Sequence, residues 1–86
     1  MANFLVERYW PGVTTVAAEA VTASLADRGL EIVETIVTGP DEVCFWYVKA
    51  ASLRAVETAF AAASIPIDRI ARATAVRGRP TRSSGR

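Results

Sequence analysis

Histidine is missing from all 86 residues, and with it the side chain that most often acts as general base near neutral pH and as transition-metal ligand. Catalytic triads of the usual kind have no base to draw on. Cys44 is the only cysteine, which rules out an intrachain disulfide and a paired-cysteine zinc site and fits a reducing, cytoplasmic setting. It sits between Val43 and Phe45 in an apolar run, where burial raises a thiol pKa and leaves it inert, so its expected role is structural. No glycine-rich loop precedes a helix to cradle a phosphate. The single lysine, Lys49, falls at a strand end and reads as a solvated side chain. No stretch approaches the ~18 consecutive apolar residues of a membrane span, and Met1 to Glu7 has no basic region ahead of an apolar run. Neither membrane insertion nor secretion is expected.

Hydrophobic residues make up 51% of the chain and charged ones 22%, enough apolar material for one folded core. A lone monomer of this length buries only ~60% of its unfolded-chain surface, so help from a partner is expected. The net charge of +1 conceals an asymmetry: Arg77, Arg79, Arg82 and Arg86 all lie in the last ten residues, which hold no acid. The remainder carries six basic and nine acidic residues, about −3. A nucleic-acid groove needs a basic face, and the folded part does not supply one.

Asn3 to Tyr9 alternates as a strand, with Phe4 and Val6 on one face and Leu5, Glu7 and Tyr9 on the other. Pro11-Gly12 breaks it. The spacing of Val13, Ala17, Ala20, Val21 and Leu25 predicts an amphipathic helix from about Thr14 to Arg28, capped by Thr14 or Thr15 and stopped by Gly29, with Leu30 packing back on Leu25. Glu31 to Thr38 and Val43 to Val48 are β-branched or aromatic runs joined by Gly39-Pro40-Asp41, which predicts a hairpin. The second run is apolar throughout and is expected to be central and contacted on both faces. Ser52 caps a second helix with Leu53, Val56, Phe60 and Ala63 inward, ended by Pro66. A last strand runs from about Arg69 to Val76.

The order βαββαβ predicts an α+β, ferredoxin-like domain over residues 1–76, with an antiparallel four-stranded sheet of order 4-1-3-2 and both helices on one face. Residues 77–86 read as an Arg-rich terminus without a core of its own, expected to be mobile. The uncovered sheet face carries the functional question. Alternation assigns to it Leu5, Ile32 and Ile36, more apolar surface than a monomer normally leaves wet, and a homodimer through this face is expected.

The polar residues on strands are Glu7, Arg8, Glu34, Tyr47 and Arg72. Glu7 falls opposite Phe4 and Val6, and Glu34 shares a face with Ile32 and Ile36. On one open face, two carboxylates with aromatic neighbours and a compensating Arg72 could bind a cation or a small polar molecule. The alternative is that they are solvated, paired across strands, or bridged at a dimer interface. Trp46 and Tyr47 read as core or interface residues before a ligand cage.

The opening Phe4-Leu5-Val6-Glu7-Arg8-Tyr9-Trp10-Pro11-Gly12 resembles the start of a small bacterial family named after a nickel-binding member, which begins F-L-V-E-R, two residues, then P-G. Val33 to Val37, Cys44 and Ile65-Pro66-Ile67-Asp68-Arg69-Ile70 are also similar to its pattern, and the likeness covers about residues 3 to 76. It implies a dimeric ferredoxin-like fold and nickel as a possible ligand. By motif it carries over Glu7, Arg8, Pro11 and Gly12, with Cys44, Asp68 and Arg69 as looser matches. With no histidine, the metal donors here would be Glu7 and Glu34, and carboxylates alone favour harder divalent cations.

Three functions are compatible with these residues. The first is a dimeric binding module that holds a small ligand or metal ion near the open face, using Glu7, Arg8, Glu34, Tyr47 and Arg72. The second is a dimeric α/β-barrel-type enzyme, an oxygenase or isomerase of an apolar substrate, which needs a dry pocket with a polar group inside. The third is a plain interaction or regulatory module using the basic tail as an arm for anionic partners.

Overall fold

A computed structural model describes residues 1–76 and Gly78. Six elements follow in order: β1 (Ala2–Tyr9), α1 (Thr15–Asp27), β2 (Glu31–Thr38), β3 (Val43–Ala50), α2 (Leu53–Ala62) and β4 (Arg69–Arg72). The sheet order is β2-β3-β1-β4 with every neighbouring pair antiparallel. Read from the other edge, this is the order 4-1-3-2 expected from the sequence. Apart from Gly78, the Arg-rich tail expected over 77–86 lies outside the described residues. Among those described, no helix is long and apolar enough to cross a membrane.

One face of the sheet builds the core. Phe4 and Val6 of β1 and Cys44, Trp46 and Val48 of β3 are buried against Ala18 and Leu25 of α1 and Val56, Ala59 and Phe60 of α2. Full burial of each large side chain contributes about 1.5–3 kcal/mol. Trp46 meets Phe60 edge to face, with ring centroids 5.3 Å apart at 77°. The Trp46 indole N–H donates to Thr22 Oγ1 at 3.1 Å, and that hydroxyl pairs with Thr35 Oγ1 at 2.9 Å. A buried donor is thereby satisfied between helix and sheet.

Both helices begin and end by local chemistry. Thr14 Oγ1 accepts from the Ala17 amide and Ser52 Oγ from the Ala55 amide, each at 3.1 Å. After α1, Gly29 turns left-handed at φ 91° and the Leu30 amide returns to the Leu25 carbonyl, as the sequence predicts. After α2 the stop comes earlier than Pro66. Ser64 takes φ 60°, and the Ile65 amide closes on the Phe60 carbonyl at 2.9 Å. A non-glycine residue fills the left-handed position, and Ile65 is buried by the turn it makes.

Several expected placements are corrected. Ala18, not Ala20, lies in the core, and Leu53 is 43% exposed where an inward position was expected. β3 is fully buried only at alternate residues; Phe45 and Tyr47 are half-buried. β4 stops at Arg72 and not near Val76; past it the Ala73 amide still reaches the Asn3 carbonyl, but the Ala75 amide goes to the Tyr47 hydroxyl and not to a β1 carbonyl. In β2, Ile32 pairs with Val48 and Glu34 with Tyr47, so Val33 is an extra residue in a bulge. A bulge reverses the alternation beyond it. Ile32 therefore packs on the core, while Glu34 and Ile36 face the other way.

Candidate functional site

The sheet face away from the helices is built from two transverse rows, since residues directly opposite in antiparallel strands share a face. Arg69, Glu7, Phe45 and Ile36 form one row from β4 to β2, and Ala71, Leu5, Tyr47 and Glu34 form the next. Leu5, Glu7, Phe45 and Tyr47 are half-buried, and Ile36 is 44% exposed. No element of the described residues covers them, so an apolar centre is framed by carboxylates and one arginine.

The register brings Glu7, Glu34 and Tyr47 to this face and takes the other two predicted site residues away from it. Arg72 stands opposite Phe4, on the helix side of the sheet, with its guanidinium 6.0 Å from the Phe4 ring centroid. The expected charge compensation of Glu7 and Glu34 by Arg72 is therefore corrected, and Arg69 holds the place across from Glu7. Arg8 stands opposite Cys44, also on the helix side, with its guanidinium 4.2 Å from the Trp10 ring centroid and its buried Nε without a hydrogen-bond partner among the described residues. Burial pushes the Cys44 thiol from 9.0 up to about 11, outweighing the opposite pull of the Arg8 charge. That supports the structural reading of Cys44.

Glu7 and Glu34 share the face without being neighbours. They lie on different rows with β3 between them, about 12 Å apart along the diagonal by strand spacing and rise. The diagonal passes between Phe45 and Tyr47. Among the described residues, no group of three or more His, Cys, Asp or Glu is placed to hold a metal ion. Lys49, the expected solvated side chain, is exposed enough that its 4.0 Å approach to Glu31 across the strands is a surface pair.

The two ends of the face are tied down by side chains. At one end the Tyr47 hydroxyl accepts from Asn3 Nδ2 at 2.9 Å and from the Ala75 amide at 3.0 Å. At the other, Glu42 adopts φ 55°, accepts the Trp10 amide on its carbonyl, and takes the Gly12 amide (2.9 Å) and the Tyr9 hydroxyl (3.3 Å) on its carboxylate. The Glu42 charge, and the hydrogen bond to it, raise the Tyr9 phenol above its usual pKa. Asp68 accepts the Tyr9 amide at 2.5 Å and donates its own amide to the Glu7 carbonyl at 2.9 Å. Glu42 and Asn3 were not legible as contributors, because their partners are 30 or more residues away; Asp68 carried only the loose motif match. A groove of about 670 Å³ lies elsewhere, between the end of α1 and α2, lined by Asp27, Arg28, Ser52, Arg54 and Thr58 among others.

No protein-family model matches the chain, and no curated protein matches it. Among solved structures, the crystal structure of SCO4226 from Streptomyces coelicolor A3(2) is similar, with 18% sequence identity and a TM-score of 0.70 over 88% of this chain and 100% of that one. At that identity the likeness shows a shared backbone arrangement, and the whole of that protein is spanned by the domain described here.

Proposed function

We propose that this chain is a ferredoxin-like binding module that works as a homodimer, with the open sheet face turned toward a second copy and a small molecule or divalent cation held where Glu7 and Glu34 border it. The observation that carries the reading is the uncovered centre formed by Leu5, Phe45, Tyr47 and Ile36, flanked by charged residues on the same face. An apolar centre inside a polar rim is the anatomy of an interface. Two copies face to face bring four carboxylates to one seam, which offsets the distance between Glu7 and Glu34 within one chain. Tyr47 shapes the site through its fixed hydroxyl, while Arg8 and Arg72 act from the other side of the sheet. Nickel enters through the likeness of residues 4–12 to the nickel-named family, and a carboxylate donor set favours harder ions such as magnesium. The free thiol of Cys44 suits the cytoplasm.

Sedimentation at tens of micromolar tests the dimer, and a monomer there removes this reading. Calorimetric titration with nickel, cobalt, zinc and magnesium, repeated on Glu7→Gln, tests the cation. Heat that is lost in the variant supports it, and no heat with any metal eliminates it.

A further inference from the structure

The open face carries opposite charges at its two edges. Arg69 stands on β4, in the row of Glu7, Phe45 and Ile36, while Glu34 stands on β2, in the neighbouring row of Ala71, Leu5 and Tyr47. With the sheet order β2-β3-β1-β4, these two residues occupy diagonally opposite corners of the apolar centre. Both are exposed. Among the described residues neither is ion-paired, the one salt bridge there joining Lys49 and Glu31.

Two copies stacked face to face are related by a two-fold axis lying between their sheets, and such a contact uses the same surface twice. An axis across the strands lays β4 on the partner's β4 and β2 on the partner's β2, and exchanges the two rows. Arg69 then lies one row, about 7 Å, to the side of the partner's Arg69, and Glu34 as far from the partner's Glu34. An axis along the strands keeps the rows level and lays β4 on the partner's β2. The same offset of about 7 Å now separates Arg69 from the partner's Glu34, at both corners. With sheets about 10 Å apart the Cα atoms of that pair are about 12 Å apart, which an extended arginine and a glutamate span together. At equal separation, the first arrangement sets like charge by like and the second opposite by opposite. Juxtaposed like charges exclude a register even where exposed pairs add little affinity.

We propose that two copies of this chain pair with the two-fold axis along the strands, β4 of each over β2 of the other, and that Arg69 of each binds the partner's Glu34. This rests on the face-to-face reading given above and adds its register. Glu7 stands directly across from Arg69 on β1, so each corner gathers two carboxylates from different chains around one guanidinium. A divalent cation that bridges Glu7 and the partner's Glu34 therefore has to displace Arg69.

Sedimentation equilibrium on charge-reversal variants of the full chain tests the register. Arg69→Glu sets like charges together at both corners and weakens the dimer about tenfold or more. Adding Glu34→Arg puts opposite charges back at the same places, and the parental dissociation constant returns. Adding Glu57→Arg instead restores the net charge equally, but Glu57 is exposed on α2, on the other side of the sheet, and the dimer stays weak. All three positions are exposed, so the variants keep the circular dichroism of the parent. A dimer that Arg69→Glu leaves unchanged overturns the pairing, as does one that Glu57→Arg rescues as well as Glu34→Arg does. Either result leaves the face-to-face reading standing. A parent chain that is monomeric at tens of micromolar removes both.

Discussion

Replacing Thr22 by Val probes how the helix is joined to the sheet. The Thr22 hydroxyl donates to the Ala18 carbonyl at 2.7 Å, pairs with Thr35 at 2.9 Å and receives the Trp46 indole N–H at 3.1 Å. Valine keeps the β-branched shape, so helix preference and packing change little. What changes is that Trp46, fully buried, keeps its donor and loses its acceptor. An unsatisfied buried donor costs about 1–3 kcal/mol, and relief from burying the hydroxyl offsets only part of it. The expected loss is about 2 kcal/mol, which for a domain of this size lowers Tm by about 8–16 °C. Urea unfolding followed by circular dichroism measures it. Thr35→Val, which removes only the hydroxyl pair, costs less than about 1 kcal/mol. In a Trp46→Phe background no donor remains, so the Thr22→Val cost shrinks and the cycle returns a coupling of about 1–2 kcal/mol. A Thr22→Val loss below about 0.5 kcal/mol, or strict additivity with Trp46→Phe, refutes the assignment.

The Cys44 thiol titrates at about 11 in the folded chain against 9.0 unperturbed. Its contribution to stability is complete below pH 9 and declines as pH rises toward 11, because the unfolded chain loses this proton first. Denaturant midpoints measured across that window fall less in Cys44→Ala than in the parent, relative to each protein's own value at pH 8. Glu42→Gln removes the charge that raises Tyr9, so the phenol titrates at lower pH by ultraviolet absorbance; an unmoved or raised value contradicts the contact. Ser64→Gly relieves a left-handed backbone that costs a non-glycine residue about 1–2 kcal/mol, so a gain of up to about 1 kcal/mol is expected in thermal unfolding, and a loss shows that the Ser64 side chain matters.

The strand order and the core rows were legible because period-two and helical spacings stand out in Phe4 to Tyr9, Val43 to Val48 and Val56 to Phe60. The face of Glu34 was half legible: its final side is as expected, but in the company of Ile36 and not Ile32. The bulge at Val33 inserts a residue that the alternation of an eight-residue strand with six β-branched positions gives no sign of. Arg72 was misplaced because a four-residue edge strand leaves its register open until Ile70 is known to sit across from Val6. Pro66 drew attention away from Ser64, since a left-handed serine carries no compositional mark while a proline does. The ties at Asn3, Glu42 and Asp68 depend on contacts between residues 30 or more apart in sequence, and local pattern is silent about those.

The central claim is that the open face is made to be covered by a second copy. Sedimentation velocity on the parent chain and on Phe45→Glu, at tens of micromolar and moderate salt, tests it most directly. Phe45 is half-buried on that face and belongs to neither the core nor a cap, so the variant keeps its circular dichroism. The account predicts a dimer for the parent and a folded monomer for Phe45→Glu. A monomeric parent, or a Phe45→Glu chain that dimerises as tightly as the parent, contradicts it.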